Sequence, residues 1–153
     1  MKRLLLVSLV GLTVIGSVII IALISSGDKT AVKETAERVV ITLGNYDYRD
    51  EATYSENVSD LSTPYFISEI FNSASYKKGR ELNRRFKIVE KTEVISSRVL
   101  TSSASKSEIE VQSQISSQTP DGPQKTRKVT RVQLIKSGGK WLVNMIEERL
   151  QSG

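Results

Sequence analysis

The sequence predicts an α+β fold in which helices come first and an antiparallel sheet follows, carried behind a transmembrane helix. Three observations predict it. No charged side chain interrupts the stretch from Leu4 to Ile24. Apolar residues then recur with a 3.6-residue period from Val32 to about Ala74, and from about Arg84 the period changes to 2.

The uncharged run, which Leu4, Leu12, Ile19 and Ile24 mark along its length, covers roughly 30 Å as a helix, the hydrocarbon thickness of a bilayer. Inside lipid a single segment satisfies its backbone donors and acceptors only as a helix. Two other readings compete. A cleaved signal peptide would share the basic start Met1-Lys2-Arg3, but its apolar core is usually about 7–15 residues, and only a poor cleavage site follows at Ser26. A buried soluble helix fits the length least. Lys2 and Arg3 face Lys29, Lys33 and Arg38 on the other flank, so the positive-inside bias is small. A short tail with two charges is most simply left in the cytoplasm. The expectation is a single-pass protein of the cell membrane, with residues 1–27 as tail and anchor and residues 28–153 as one extracytoplasmic domain. Roughly 125 residues suit a single core.

After the anchor, Asp28 or Thr30 is placed to cap a helix whose face carries Val32, Ala36, Val39, Val40 and Leu43. Gly44-Asn45 ends it, since both tolerate the left-handed conformation. Ala52, Tyr54, Val58 and Leu61 suit a short second helix. Thr63 as cap and Pro64 at the first position open a third, with Phe66, Ile67, Ile70, Phe71 and Ala74 as its stripe and Tyr76-Lys77-Lys78-Gly79-Arg80 as its end. Strands begin from about Arg84. Phe86, Ile88 and Val94 belong to the first, which ends near Thr101, and Ile109, Val111 and Ile115 alternate in the second. Thr119-Pro120-Asp121-Gly122-Pro123 turns the chain. Lys128, Thr130, Val132 and Leu134 form the third strand, Ser137-Gly138-Gly139 turns again, and Trp141, Val143 and Met145 line the last.

Composition narrows the chemistry. The chain has 22 basic and 17 acidic residues, a charge of +5, and two of the basic ones precede the anchor, so the remainder carries +3. That balance does not call for nucleic acid. There is no cysteine and no histidine, which removes disulfides, thiolate nucleophiles, sulfur metal sites and the usual neutral-pH base. No metal site, cofactor motif or catalytic constellation is visible, and the expectation is a protein that is not an enzyme. The concentrated polar group is Tyr46, Asp47, Tyr48 and Asp50, read as a possible cavity rim or as tyrosines packing the end of the first helix, with Arg49 pairing a carboxylate or a helix end. Two basic clusters, one from Lys77 to Lys87 and one of Lys125, Arg127, Lys128 and Arg131, are read either as a solvated face guarding edge strands or as one patch for lipid or an acidic partner.

Helices followed by long antiparallel strands, ending in Gly138-Gly139-Lys140-Trp141-Leu142-Val143, resemble the nuclear transport factor 2-like superfamily. The resemblance covers about residues 30–150 and implies a curved sheet wrapped around the first helix, with the tryptophan closing one end of a cone. Within it, the single span and Tyr46-Asp47-Tyr48-Arg49 resemble the mammalian cell entry (Mce) associated membrane proteins, although their alanine- and arginine-rich composition is missing here. The architecture is similar too to assembly components of type IV secretion and conjugation systems. These resemblances imply a non-enzymatic accessory or assembly subunit of an envelope complex, of the Mce-associated lipid-transport type or the secretion type, or else a membrane-tethered small-molecule-binding cone. Its implied partners are the lipid bilayer, other envelope subunits and a second copy of itself.

Overall fold

The computed structural model describes residues 29–151, which include the compact unit that begins at Val32. The expected anchor at Leu4–Ile24 lies outside the described residues. Among the described residues no helix is long and apolar enough to cross a membrane.

The element order is helices, then a four-stranded antiparallel sheet. The first helix, α1, runs over 29–44 and is already helical at Thr30. Val32, Ala36, Val39 and Val40 are buried, as the 3.6-residue spacing requires. Helix α2 is Glu51–Asp60, capped by the Asp50 carboxylate, which accepts from Thr53 N at 3.4 Å. Its buried face is Tyr54 and Val58.

The third helix differs from its expectation. Thr63 does cap it, its Oγ1 accepting from Phe66 N at 3.1 Å, but the stretch Phe66–Phe71 is a π-helix that stops at Asn72. A separate helix, α3, then spans Ala74–Arg85, with Ser73 Oγ accepting from Tyr76 N. The run Tyr76 to Arg80 is thus inside a helix. Helix α3 buries no residue completely, so it lacks the apolar stripe by which such an element is read from sequence. Its end is hidden for a different reason. Ile88 N bonds Asn83 O and Lys87 N bonds Arg84 O, the paired bonds that close a helix through a left-handed residue. That residue is Lys87, at φ 54°, where glycine is the usual signal. Phe86 and Ile88 accordingly belong to this reversal and not to a strand. Lys87→Gly is expected to raise stability by about 0.5–1 kcal/mol, because a side chain in this conformation is strained; urea denaturation checks it.

Strands β1 (Val89–Ser102), β2 (Lys106–Thr119), β3 (Gly122–Ser137) and β4 (Lys140–Leu150) form a meander in the order β1-β2-β3-β4. Gly122 at φ 109°, and Gly138 and Gly139 at 57° and 80°, make the two tight hairpins, as the turn residues foretell. Inward positions alternate cleanly in β2 and β3, where Ile109, Val111, Val132 and Leu134 are buried. In β4 a bulge intervenes. Leu134 faces Val143 and Gln133 faces Met145, leaving Asn144 over, so the alternation shifts by one residue. Ile146, opposite Val132, therefore packs on the core in the place expected for Met145. Asn144 is held by Thr63 Oγ1 at 3.2 Å and by Gln133 Oε1 at 3.2 Å. Edge strand β1 carries two further irregularities, at Ile95 and Leu100, and Ile95 stands 53% exposed.

Loops tie the helices to both sheet edges. Tyr46 and Glu90 exchange backbone bonds of 3.2 and 2.7 Å beside β1, while Val143 bonds Leu61 and Thr63 beside β4. Helix α1 ends against the sheet, with Asn45 Oδ1 accepting from Thr92 N at 2.7 Å. Gly44 is required there by contact and not by a left-handed φ: a Cβ on it would lie 2.1 Å from Thr92 Oγ1. One cluster of buried residues joins α1, α2, the π-helix and β2 to β4.

Candidate functional site

Where the apolar rows of the sheet give way to polar ones, a cavity of about 350 Å³ opens between the sheet, the end of α1 and helices α2 and α3. On the sheet its floor comes from inward positions that the alternation fills with polar residues: Glu90 and Thr92 on β1, Ser113 on β2, Lys128 and Thr130 on β3, and Glu148 on β4. Thr92 faces Ile115, Ser113 faces both Val94 and Lys128, and Thr130 faces Val111 and Glu148. The three hydroxyls thus run diagonally across three strands towards the Glu148 carboxylate.

The opposite wall is aromatic and cationic. Tyr54 stacks edge-on against Tyr46 at 5.3 Å and packs on Phe71 at 5.9 Å, and Phe71 packs on Tyr76 at 5.3 Å. The Tyr54 hydroxyl donates to Leu43 O at 3.0 Å, at the end of α1, and so accepts from the Tyr76 hydroxyl at 3.1 Å. Burial pushes the pKa values of all three phenols upward, which keeps them neutral donors near pH 7. The Arg80 guanidinium lies 4.1 Å over the Phe71 ring and donates through Nη2 to Phe71 O at 3.4 Å. None of the ion pairs among the described residues involves Arg80.

The satisfied and unsatisfied groups separate plainly. Lys128 Nζ donates to Glu148 Oε2 at 3.0 Å, and Ser117 Oγ donates to Glu90 Oε1 at 3.3 Å. By contrast Thr92 Oγ1, Ser113 Oγ, Thr130 Oγ1 and Arg80 Nε are buried with no hydrogen-bond partner among the described residues. All four line this cavity, and Arg80 also borders a second depression beside Phe71 on α2 and the π-helix. Buried hydroxyls left unpaired cost about 1–3 kcal/mol each, so any polar group meeting them here would be stabilising.

Of the expected rim, only Tyr46 lines the cavity. Asp47 and Asp50 border a separate shallow depression. Asp47 is consumed by Arg49, whose Nη2 lies 2.5 Å from Oδ2 and whose Nε donates to Oδ1 at 2.8 Å, holding the carboxyl down to about 2. Asp50 is the cap of α2, and Tyr48 carries the Arg49 guanidinium 5.7 Å over its ring. Local pairing explains this group.

The expected basic patch is also divided, because neighbouring strand residues point to opposite faces. Lys128 turns into the cavity, whereas Lys125 and Arg127 are exposed. Arg131 sits between Glu108 at 3.2 Å and Glu147 at 3.9 Å; the first is an ion pair by distance, although Nε is not aligned for a hydrogen bond. Arg80, from the other basic cluster, turns inward as well. Lys128→Glu is expected to lose about 1–2 kcal/mol by setting a second carboxylate against Glu148, while Arg127→Glu changes stability by less than about 0.5 kcal/mol. Equal losses in parallel urea titrations would contradict the two-face assignment.

Sequence reasoning missed Glu90, Thr92, Ser113, Thr130 and Glu148 as cavity residues, and it placed Arg80 in a basic surface cluster. A signal was present: Ser113 between Val111 and Ile115, and Thr130 two before Val132, are polar residues at inward positions of otherwise apolar strands. Among the described residues no group of acidic side chains is arranged to hold a metal ion.

No family model and no curated protein matches the sequence. Solved structures do match. An IcmL-like type IV secretion system protein from Legionella pneumophila is similar at TM-score 0.69 and 12% identity, over 82% of this chain and 94% of that one. The periplasmic domain of DotI is similar at 0.62 and 10%, over 78% and 94%. A protein from Catenulispora acidiphila is similar at 0.58 and 14%, over 82% and 93%. At these identities the likeness shows the fold alone, helices followed by a four-stranded antiparallel sheet.

Proposed function

We propose that this chain is a non-enzymatic, membrane-anchored assembly component of a type IV secretion or conjugation machine, with its α+β domain outside the cytoplasm. The observation that carries the reading is the shared fold with the IcmL-like protein and the DotI periplasmic domain, at TM-scores of 0.69 and 0.62 and over 94% of the length of each. The uncharged run from Leu4 to Ile24 ahead of the domain fits the same role. The Mce-associated alternative gains nothing from these structures. Its motif Tyr46-Asp47-Tyr48-Arg49 is accounted for by the core position of Tyr46 and the Asp47–Arg49 pair. Tethering to a bilayer raises the effective concentration of partner subunits, so even weak contacts through the sheet suffice for assembly.

The full chain is expected to stay with membranes through high-salt and carbonate washes, since apolar retention is not screened by ions. A photo-crosslinker at exposed Arg127 is expected to recover other subunits of one secretion machine, or a second copy, identified by mass spectrometry. Release by carbonate would remove the anchor. A strictly monomeric detergent-solubilised protein with no crosslinked partner would remove the assembly role.

A further inference from the structure

Two unpaired charges of opposite sign face the cavity described above. Arg80 has no carboxylate partner among the described residues and leaves Nε unbonded. Among the described residues the Glu90 carboxylate meets only the Ser117 hydroxyl, at 3.3 Å. The other two charged groups, Lys128 and Glu148, cancel each other at 3.0 Å. Between them stand Thr92, Ser113 and Thr130, 5%, 1% and 2% exposed, each with a hydroxyl lacking a partner. A hydroxyl both donates and accepts, whereas a guanidinium only donates and a carboxylate only accepts.

We propose that this cavity binds a small zwitterion of the polar amino acid or dipeptide class, with its carboxylate on Arg80, its ammonium on Glu90 and its polar groups along the Thr92, Ser113 and Thr130 hydroxyls. A ligand carrying one charge alone would leave the other wall group unpaired in a partly desolvated site, and an apolar ligand would leave all of them so. A volume of about 350 Å³ lies at the small end of ligand sites and suits a molecule of this size. The apolar parts of the ligand would meet the ring of Tyr54 and the side chains of Val40 and Ile115, which line the same space. This site is independent of the secretion role, since it uses the inner face of the sheet and not the outer one.

Calorimetry on the full chain in detergent, with seryl-serine as the probe, tests the assignment. Seryl-serine is expected to give saturable binding. N-acetyl-seryl-serine, which lacks the ammonium, and seryl-serine amide, which lacks the carboxylate, are each expected to bind about tenfold more weakly, as is seryl-serine to Thr130→Val. Thr130→Val removes the hydroxyl while keeping the shape, and Ser113→Ala serves the same purpose if the first variant does not fold. Circular dichroism reports folding of each. No saturable heat up to about 10 mM seryl-serine, a range that covers weak small-ligand binding, would overturn the proposal and leave the hydroxyls to water. Equal affinity for the blocked forms would overturn the charge assignment, and unchanged affinity in the hydroxyl variants would overturn the location.

Discussion

Replacing Trp141 with alanine is expected to cost the domain about 3–5 kcal/mol, the range for truncating a well-packed large aromatic. Trp141 is 7% exposed and belongs to the main core cluster, and Lys136 on the neighbouring strand stands 5.2 Å over its ring. It lies two residues before Val143, whose backbone bonds Leu61 and Thr63, so loosening β4 also loosens the loop that joins α2 to the π-helix. Unfolding in urea measures the loss as a lower midpoint with little change in slope. A change below about 1 kcal/mol would show that the last strand does not close this core. A domain of this size holds only about 5–15 kcal/mol in all, so the loss would remove a large share of its stability.

Gly44→Ala is expected to lose about 1–3 kcal/mol, as overpacking of a rigid contact does. The new Cβ would stand 2.1 Å from Thr92 Oγ1 and 3.0 Å from its Cβ, closer than atoms pack, and the neighbour is a stiff β-branched side chain and not the end of a flexible one. The Asn45 to Thr92 bond of 2.7 Å resists the backbone shift that would relieve it. Thr92→Ala in the same chain removes the nearest atom, so the double variant is expected to recover part of the loss. A strictly additive pair would show that the two residues do not touch. Since Thr92 is one of the cavity hydroxyls, this contact also sets where α1 ends relative to the cavity.

The periodic parts of the chain were legible before any coordinates. Val32, Ala36, Val39 and Val40 declare a helix face, Ile109, Val111, Val132 and Leu134 declare inward strand positions, and the glycines of the hairpins declare their turns; each of these is a local rule acting on a few adjacent residues. What local rules miss is what depends on distant partners. Helix α3 has no apolar stripe and closes through Lys87, so it reads as a boundary although its backbone bonds continue to Arg85. The Asn144 bulge is held by Thr63, far away in sequence, and by Gln133 on β3, and the register shift there turns Ile146 and Glu148 to the inner face. The same holds for function. A row of charges from Lys125 to Arg131 reads as one patch, yet strand alternation sends Lys128 into the cavity while Arg127 stays outside. Arg49 was expected to pair with a carboxylate or a helix end, and the structure selects Asp47. Sequence alone determined the order of helices and strands and most of the core, because hydrophobic burial follows the repeat of the element. Only the tertiary structure decided the cavity, because Thr92, Ser113, Thr130 and Arg80 are unremarkable one at a time and are brought to one space only when the sheet and α3 pack together.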